Sequence, residues 1–158
     1  MATTWRAQEI TPSRRAAGFP ALVETPEASA LTHFAGHWMF LTSGYASSGA
    51  SNQTLIYGFS AIAGGNGASD GAKTARIYRV TPGAEFEATL VVASWDQSLV
   101  GSKVALSVVS SKPALVTATA LSSIAQAFVV GVSSKVGQGD TNPPVYFTLI
   151  HADMQGEV

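Results

Sequence analysis

The chain has 158 residues, 12% of them charged, and a formal net charge of −1. A hydrophobic content of 46% is too high for a disordered chain, and the near-neutral balance argues against binding to polyanions, which takes clustered Lys and Arg. The lack of Cys removes disulfides, thiolate metal sites and a thiol nucleophile.

Residues 1–25 differ from the rest. They carry Arg6, Arg14 and Arg15, two prolines, and apolar residues with no sustained period. Because proline fixes φ and removes a donor, this composition favours an extended N-terminal arm over a core element. Trp5, Phe19, Arg6, Arg14 and Arg15 are of the types that dominate interface energetics, which makes them the candidate partner-binding residues. No apolar segment in this region has the form of a secretory signal, and no run in the chain approaches the ~20 residues that span a bilayer. The expectation is a protein made in a cytoplasm, without a membrane partner.

Thr25-Pro26-Glu27 has the form of a helix start, with a capping hydroxyl, Pro at the first helical position and an acid near the positive end. With Gly36 as a stop, one short helix is expected over 26–35, the alternative being that Thr32 to Ala35 already leads into a strand. From His37 onward the period is two. Met39 and Leu41 oppose Trp38 and Phe40, and residues 55–62 alternate. Phe86, Ala88, Leu90 and Val92 give the cleanest in–out strand. Val104 to Val108, Phe128 to Val132 and Val145 to Leu149 repeat it, and residues 74–80 and 114–120 read as weaker strands. Turn clusters separate them. Residues 26–158 therefore read as one all-β domain, a small antiparallel β-barrel that is OB-like or related. No repeat of fixed period is visible. Several strands are apolar on both faces, as at Leu55-Ile56-Tyr57, so they are covered either within the fold or by a neighbouring protein.

The chemistry-bearing motifs are weak. Gly64 to Thr74 resembles a phosphate loop in composition only: Ala72 breaks the spacing, and a strand follows where a helix is needed. His33 and His37 are four apart, but Gly36 interrupts any helix, and His151 is the one remaining imidazole. Glu85 and Glu87 share a strand face, Asp96 and Asp153 are lone acids, and there is no Gly-x-Ser-x-Gly elbow. No enzyme activity, metal or cofactor is expected. A single-strand-binding OB-fold is a rival reading, with Arg76, Tyr78 and Arg79 as its basic–aromatic cluster. A glycan-binding or tail-associated module using Trp38, Trp95 or Tyr45 is another.

Taken in order, residues 35–150 resemble a small β-barrel family of head decoration (cement) proteins of tailed bacteriophages. The resemblance rests on Phe34-Ala35-Gly36-His37-Trp38-Met39-Phe40-Leu41 and Ile56-Tyr57-Gly58-Phe59-Ser60-Ala61, then a Gly-rich loop, Ile77 to Val80 and Glu85-Phe86-Glu87-Ala88. It continues through Leu99 to Leu106 and closes around Val129-Val130-Gly131 and Val145-Tyr146-Phe147. The resemblance implies a structural virion protein on the capsid exterior. It would bind the major capsid protein, self-associate as a homotrimer and carry no catalytic residues, with the arm at 1–25 reaching a neighbouring subunit.

Overall fold

The computed structural model of the chain describes residues 1–15, 19–50, 55–117, 125–150 and 155. The chain is nearly all β. In order, the strands are β1 (Thr11–Pro12), β2 (Leu22–Pro26), β3 (Thr32–His33), β4 (Trp38–Thr42), β5 (Tyr45–Ser48), β6 (Gly58–Ser60) and β7 (Gly64–Gly65). They continue with β8 (Thr74–Arg79), β9 (Phe86–Val91), β10 (Lys103–Val109), β11 (Lys112–Thr117), β12 (Ala127–Val132) and β13 (Pro144–Leu149). Residues 118–120, His151 and Asp153 lie outside the described residues.

Two expectations need correction. Residues 26–35 are not helical: Pro26 ends β2, where its missing N–H costs no ladder bond, Glu27 bridges Ala46, and Ala30 turns the chain at positive φ into β3. Glu27 resembles a helix-start acid in sequence, but its carboxylate is committed to a tertiary bond. Among the described residues the one helical turn is a 3-10 turn at Gln97–Leu99, capped by the Asp96 side chain. The sheets are also not purely antiparallel, because β11 runs parallel to β9.

The pairings divide into two sets with one topology. In the first set β2 pairs β8, β8 pairs β6, β6 pairs β4 and β4 pairs β5, all antiparallel, and a parallel bridge between Glu27 and Ala46 links β5 back to β2. In the second set β9 pairs β13, β13 pairs β12, β12 pairs β10 and β10 pairs β11, again antiparallel, and the parallel β11–β9 pairing at Leu115 and Leu90 returns to the start. The hydrogen bonds correspond one to one. Gly36 N–H donates to Ser60 O as Gly101 N–H does to Val129 O, both at 2.7 Å. Tyr57 donates to Met39 O as Gln126 does to Val104 O, and Glu27 to Lys73 O as Leu90 to Pro143 O. Both two-residue hairpin turns, Ser43-Gly44 and Ser110-Ser111, have two positive φ angles, the geometry that matches strand twist. The chain is thus built from two five-stranded units of the same design, with β3–β7 added to the first and β1 added to the edge of β9.

The units share a core. Phe86, Ala88, Leu90, Val104, Leu106, Val129 and Phe147 form the inner face of the second unit, and Trp38, Ile56 and Phe59 from the first unit join the same cluster. Met39, Ala46, Ala75 and Ile77 form a separate cluster within the first unit. Strand β4 is therefore apolar on both faces because both are covered inside the molecule: Trp38 and Met39 are each 0% exposed.

Gly36 and Gly101 occupy equivalent turns at φ of +77° and +85°. A side chain at Gly101 would meet open space, whereas a Cβ at Gly36 would lie 2.6 Å from the backbone nitrogen of Ile10. Gly101→Ala should cost about 1–2 kcal/mol from the left-handed backbone alone. Gly36→Ala should cost more, and the difference between their urea unfolding midpoints measures the contact of the N-terminal segment.

Candidate functional site

The residues proposed from sequence as partner contacts have different fates. The described residues of the segment 1–25 lie along the body. Ile10 is buried in the shared core, β1 pairs β9, and β2 is a member of the first sheet. The Trp5 indole N–H donates to Asp140 Oδ2 at 2.8 Å, and the Thr3 N–H donates to Asp140 Oδ1 at 2.6 Å. With a third donor from Gly137, chiefly the Thr3 amide and then the Trp5 indole hold the Asp140 carboxyl below the usual carboxylate range. Arg15 makes a two-pronged contact with Glu85, Nε to Oε1 at 2.6 Å, and its guanidinium lies 4.3 Å from the Tyr146 ring centroid. Bonding to Glu85 raises the Arg15 pKa further. Trp5 and Arg15 are thus engaged within the chain, while Arg6 and Arg14 are exposed and Phe19 is 58% exposed.

One polar constellation is brought together that the sequence reading did not assemble. His33 Nε2 lies 3.0 Å from Glu27 Oε1, and His33 Nδ1 lies 3.0 Å from Ser60 Oγ. All three residues are at most 2% exposed. The order Ser–His–Glu is that of a hydrolytic triad, but the proton directions differ. The Ser60 hydroxyl donates to the Ile62 carbonyl, so it accepts from His33 Nδ1–H and is not activated by it. One proton lies between His33 Nε2 and Glu27 Oε1, and Gly64 covers the pair closely enough that a Cβ there would fall 2.9 Å from His33 Nε2. The cluster is a buried lock joining β2, β3 and β6. It stands where the second unit is apolar, since the counterparts of Glu27 and Ser60 are Leu90 and Val129.

His37 is separate from this lock. Its Nε2–H donates to the Gly49 carbonyl at 3.0 Å, its Nδ1 is buried without a partner, and its ring stacks on Phe34. Burial lowers its pKa, partly offset by the Gly49 bond, with the nearby His33 lowering it further. Beside Phe34 opens a cleft of about 190 Å3 lined by Ala35, Ala63 and Pro113, with Glu9, Ser111 and Lys112 completing its walls. Among the described residues no group of three His, Asp or Glu side chains is placed to hold a metal ion, and no helix is long and apolar enough to cross a membrane.

No protein-family model, curated protein or solved structure matches the chain.

His33→Ala should destabilise the protein by about 3–5 kcal/mol, because it strands the buried Glu27 carboxylate. Glu27→Leu, which installs the residue of the sister unit, should cost much less. Urea midpoints with unchanged slopes test the ordering. His37 sets a pH dependence of definite sign. The unfolded chain protonates it near 6.5 and the folded chain only at lower pH, so the unfolded state holds more protons in that window and stability falls as pH drops through it. His37→Gln should flatten the fall measured between about pH 7 and pH 5.

Proposed function

We propose that this chain is a structural virion protein that coats the outer surface of a tailed-phage head and reinforces it, without catalysing a reaction. The observation that carries the reading is the set of large apolar side chains left uncovered on a chain with so few charges. Ile62 is 50% exposed, Leu55 47% and Phe34 40%, alongside Phe19. Scattered exposed apolar residues are ordinary, but here Phe34 also walls a concave site. The cleft and its apolar rim suit insertion of a side chain from the major capsid protein, with Arg6 and Arg14 free for rim contacts. The resemblance of residues 35–150 to head decoration proteins points the same way. Self-association on the shell, as a homotrimer, belongs to the same reading, as does a place on the capsid exterior.

Heads of the phage that encodes the chain, purified without it and incubated with the full-length protein, provide the test. Saturable binding is expected, with a raised temperature of DNA release and little loss of affinity as salt increases, because few charges are available to screen. Phe34→Asp should weaken binding at least about tenfold. Heads that take up no protein would overturn the reading.

A further inference from the structure

The two units share one design but differ at one strand edge. On β9 the Leu90 N–H donates to Pro143 O, so Ala88 and Phe86 also turn their backbone groups to β13, and Glu85 and Glu87 turn theirs the other way. The N-terminal segment takes that side: the Ser13 N–H donates to Glu85 O at 2.9 Å, and Thr11 pairs Glu87. The same alternation holds on β2. Arg79 N–H donates to Ala21 O and Glu27 N–H to Lys73 O, so Val23 and Thr25 bond β8, while Leu22 and Glu24, the counterparts of Glu85 and Glu87, face away. Among the described residues no strand pairs with that side. The parallel bridge to β5 is made at Glu27, beyond the end of β2, and Leu22 is 41% exposed. The first unit leaves open the edge that the second unit has filled.

We infer that the open edge of β2 receives a strand from another protein: an extended segment of the major capsid protein pairs antiparallel with Leu22 and Glu24, as residues 11–13 pair with Glu87 and Glu85. This rests on the virion reading above and adds a main-chain contact to the cleft at Phe34. An unpaired edge presents donors and acceptors in strand register, and main-chain bonds to it supply affinity. The N-terminal segment of a second copy is not the occupant, because β1 is engaged on β9 and Ile10, 1% exposed, lies in the shared core. The filled edge sets the chemistry of the strand that fits the open one. Gln8 Nε2 donates to Glu87 Oε1 at 2.8 Å, and the counterpart acid Glu24 forms no ion pair among the described residues, so the segment carries a side-chain donor there. Glu85 bonds Ser13, but its counterpart is Leu22, which pairs Tyr78 beside the Phe19 ring, so the residue opposite Leu22 is apolar. Pro26 lacks a donor and keeps the pairing short.

Amide hydrogen exchange of the full-length protein, free and bound to heads purified without it, tests the inference. In the free protein Val23 and Thr25 should be protected while Leu22 and Glu24 exchange fast, and on heads Leu22 and Glu24 should slow at least about a hundredfold. Glu24→Pro deletes a donor of the open side without removing a β2–β8 bond. It should keep the wild-type far-ultraviolet spectrum and weaken head binding at least about tenfold. Glu24→Gln keeps the N–H and should bind within about threefold of the wild type. If the spectrum of Glu24→Pro changes, exchange in the wild type decides alone. Head-bound protein with Leu22 and Glu24 unprotected, or a folded Glu24→Pro that binds as the wild type does, would overturn the inference and leave the virion reading standing. Protection already present in dilute free protein would assign the edge to the chain itself, and protection that grows with concentration in the absence of heads would assign it to a second copy; either overturns the inference. Heads that take up no wild type would overturn the virion reading, and the inference with it.

Discussion

The structure depends on Phe59. It sits on a strand of the first unit, yet its ring lies among Phe86 and Phe147 on the inner face of the second, at centroid distances of 4.7 and 5.8 Å. A five-stranded unit of this size has too little interior to support itself, and small cores are marginal. Packing the outer face of one unit against the inner residues of the other turns two thin cores into one continuous cluster. The same contact explains why Trp38 and Met39, adjacent on one strand, are both buried: one faces the neighbouring unit and the other faces its own.

Two units of one design have been filled by opposite chemistry. Inside the second unit, Leu90, Val129 and Leu149 pack as hydrocarbon. At the matching places the first unit holds Glu27, Ser60 and Arg79, with His33 from the added strand β3 bonding Oε1 of the acid and the hydroxyl. The apolar unit shows that the backbone does not require polar residues there. A buried polar lock of this kind adds little net stability but penalises every arrangement in which its partners are separated. It fixes how β2, β3 and β6 meet.

Much of the strand pattern was legible in the sequence. Phe86-Glu87-Ala88-Thr89-Leu90 alternates cleanly because one side faces a core and the other meets polar neighbours such as Gln8, whose amide reaches Glu87. Of the segments apolar on both faces, β4 is covered on both within the chain, whereas at 55–57 Ile56 is buried and Leu55 is left 47% exposed. Residues 26–35 misled because Thr, Pro and Glu in that order favour a helix start locally, while sheet pairing and the His33 bond dominate in three dimensions. The duplication was hidden because matching positions carry Trp38 against Lys103 and Glu27 against Leu90. The β10–β11 hairpin is also longer than β4–β5, so the counterparts drift out of step. The Glu27–His33–Ser60 cluster left no local signal, since Glu27 and His33, six apart, meet only through the turn between β2 and β3, and Ser60 lies 27 residues beyond His33. Trp5 and Arg15 were singled out by residue type as contacts to a partner; in the structure both bond to the body of their own chain.

The bonds of Thr3 and Trp5 to Asp140 and Thr141 have a consequence for how the molecule is made. The Trp5 bond to Asp140 spans 135 residues, so it forms only after that much chain has been synthesised. Closing so long a loop is entropically slow, and contacts of such sequence separation form late. Until then Thr3 and Trp5 lack these partners, and the contact is among the late ones to close.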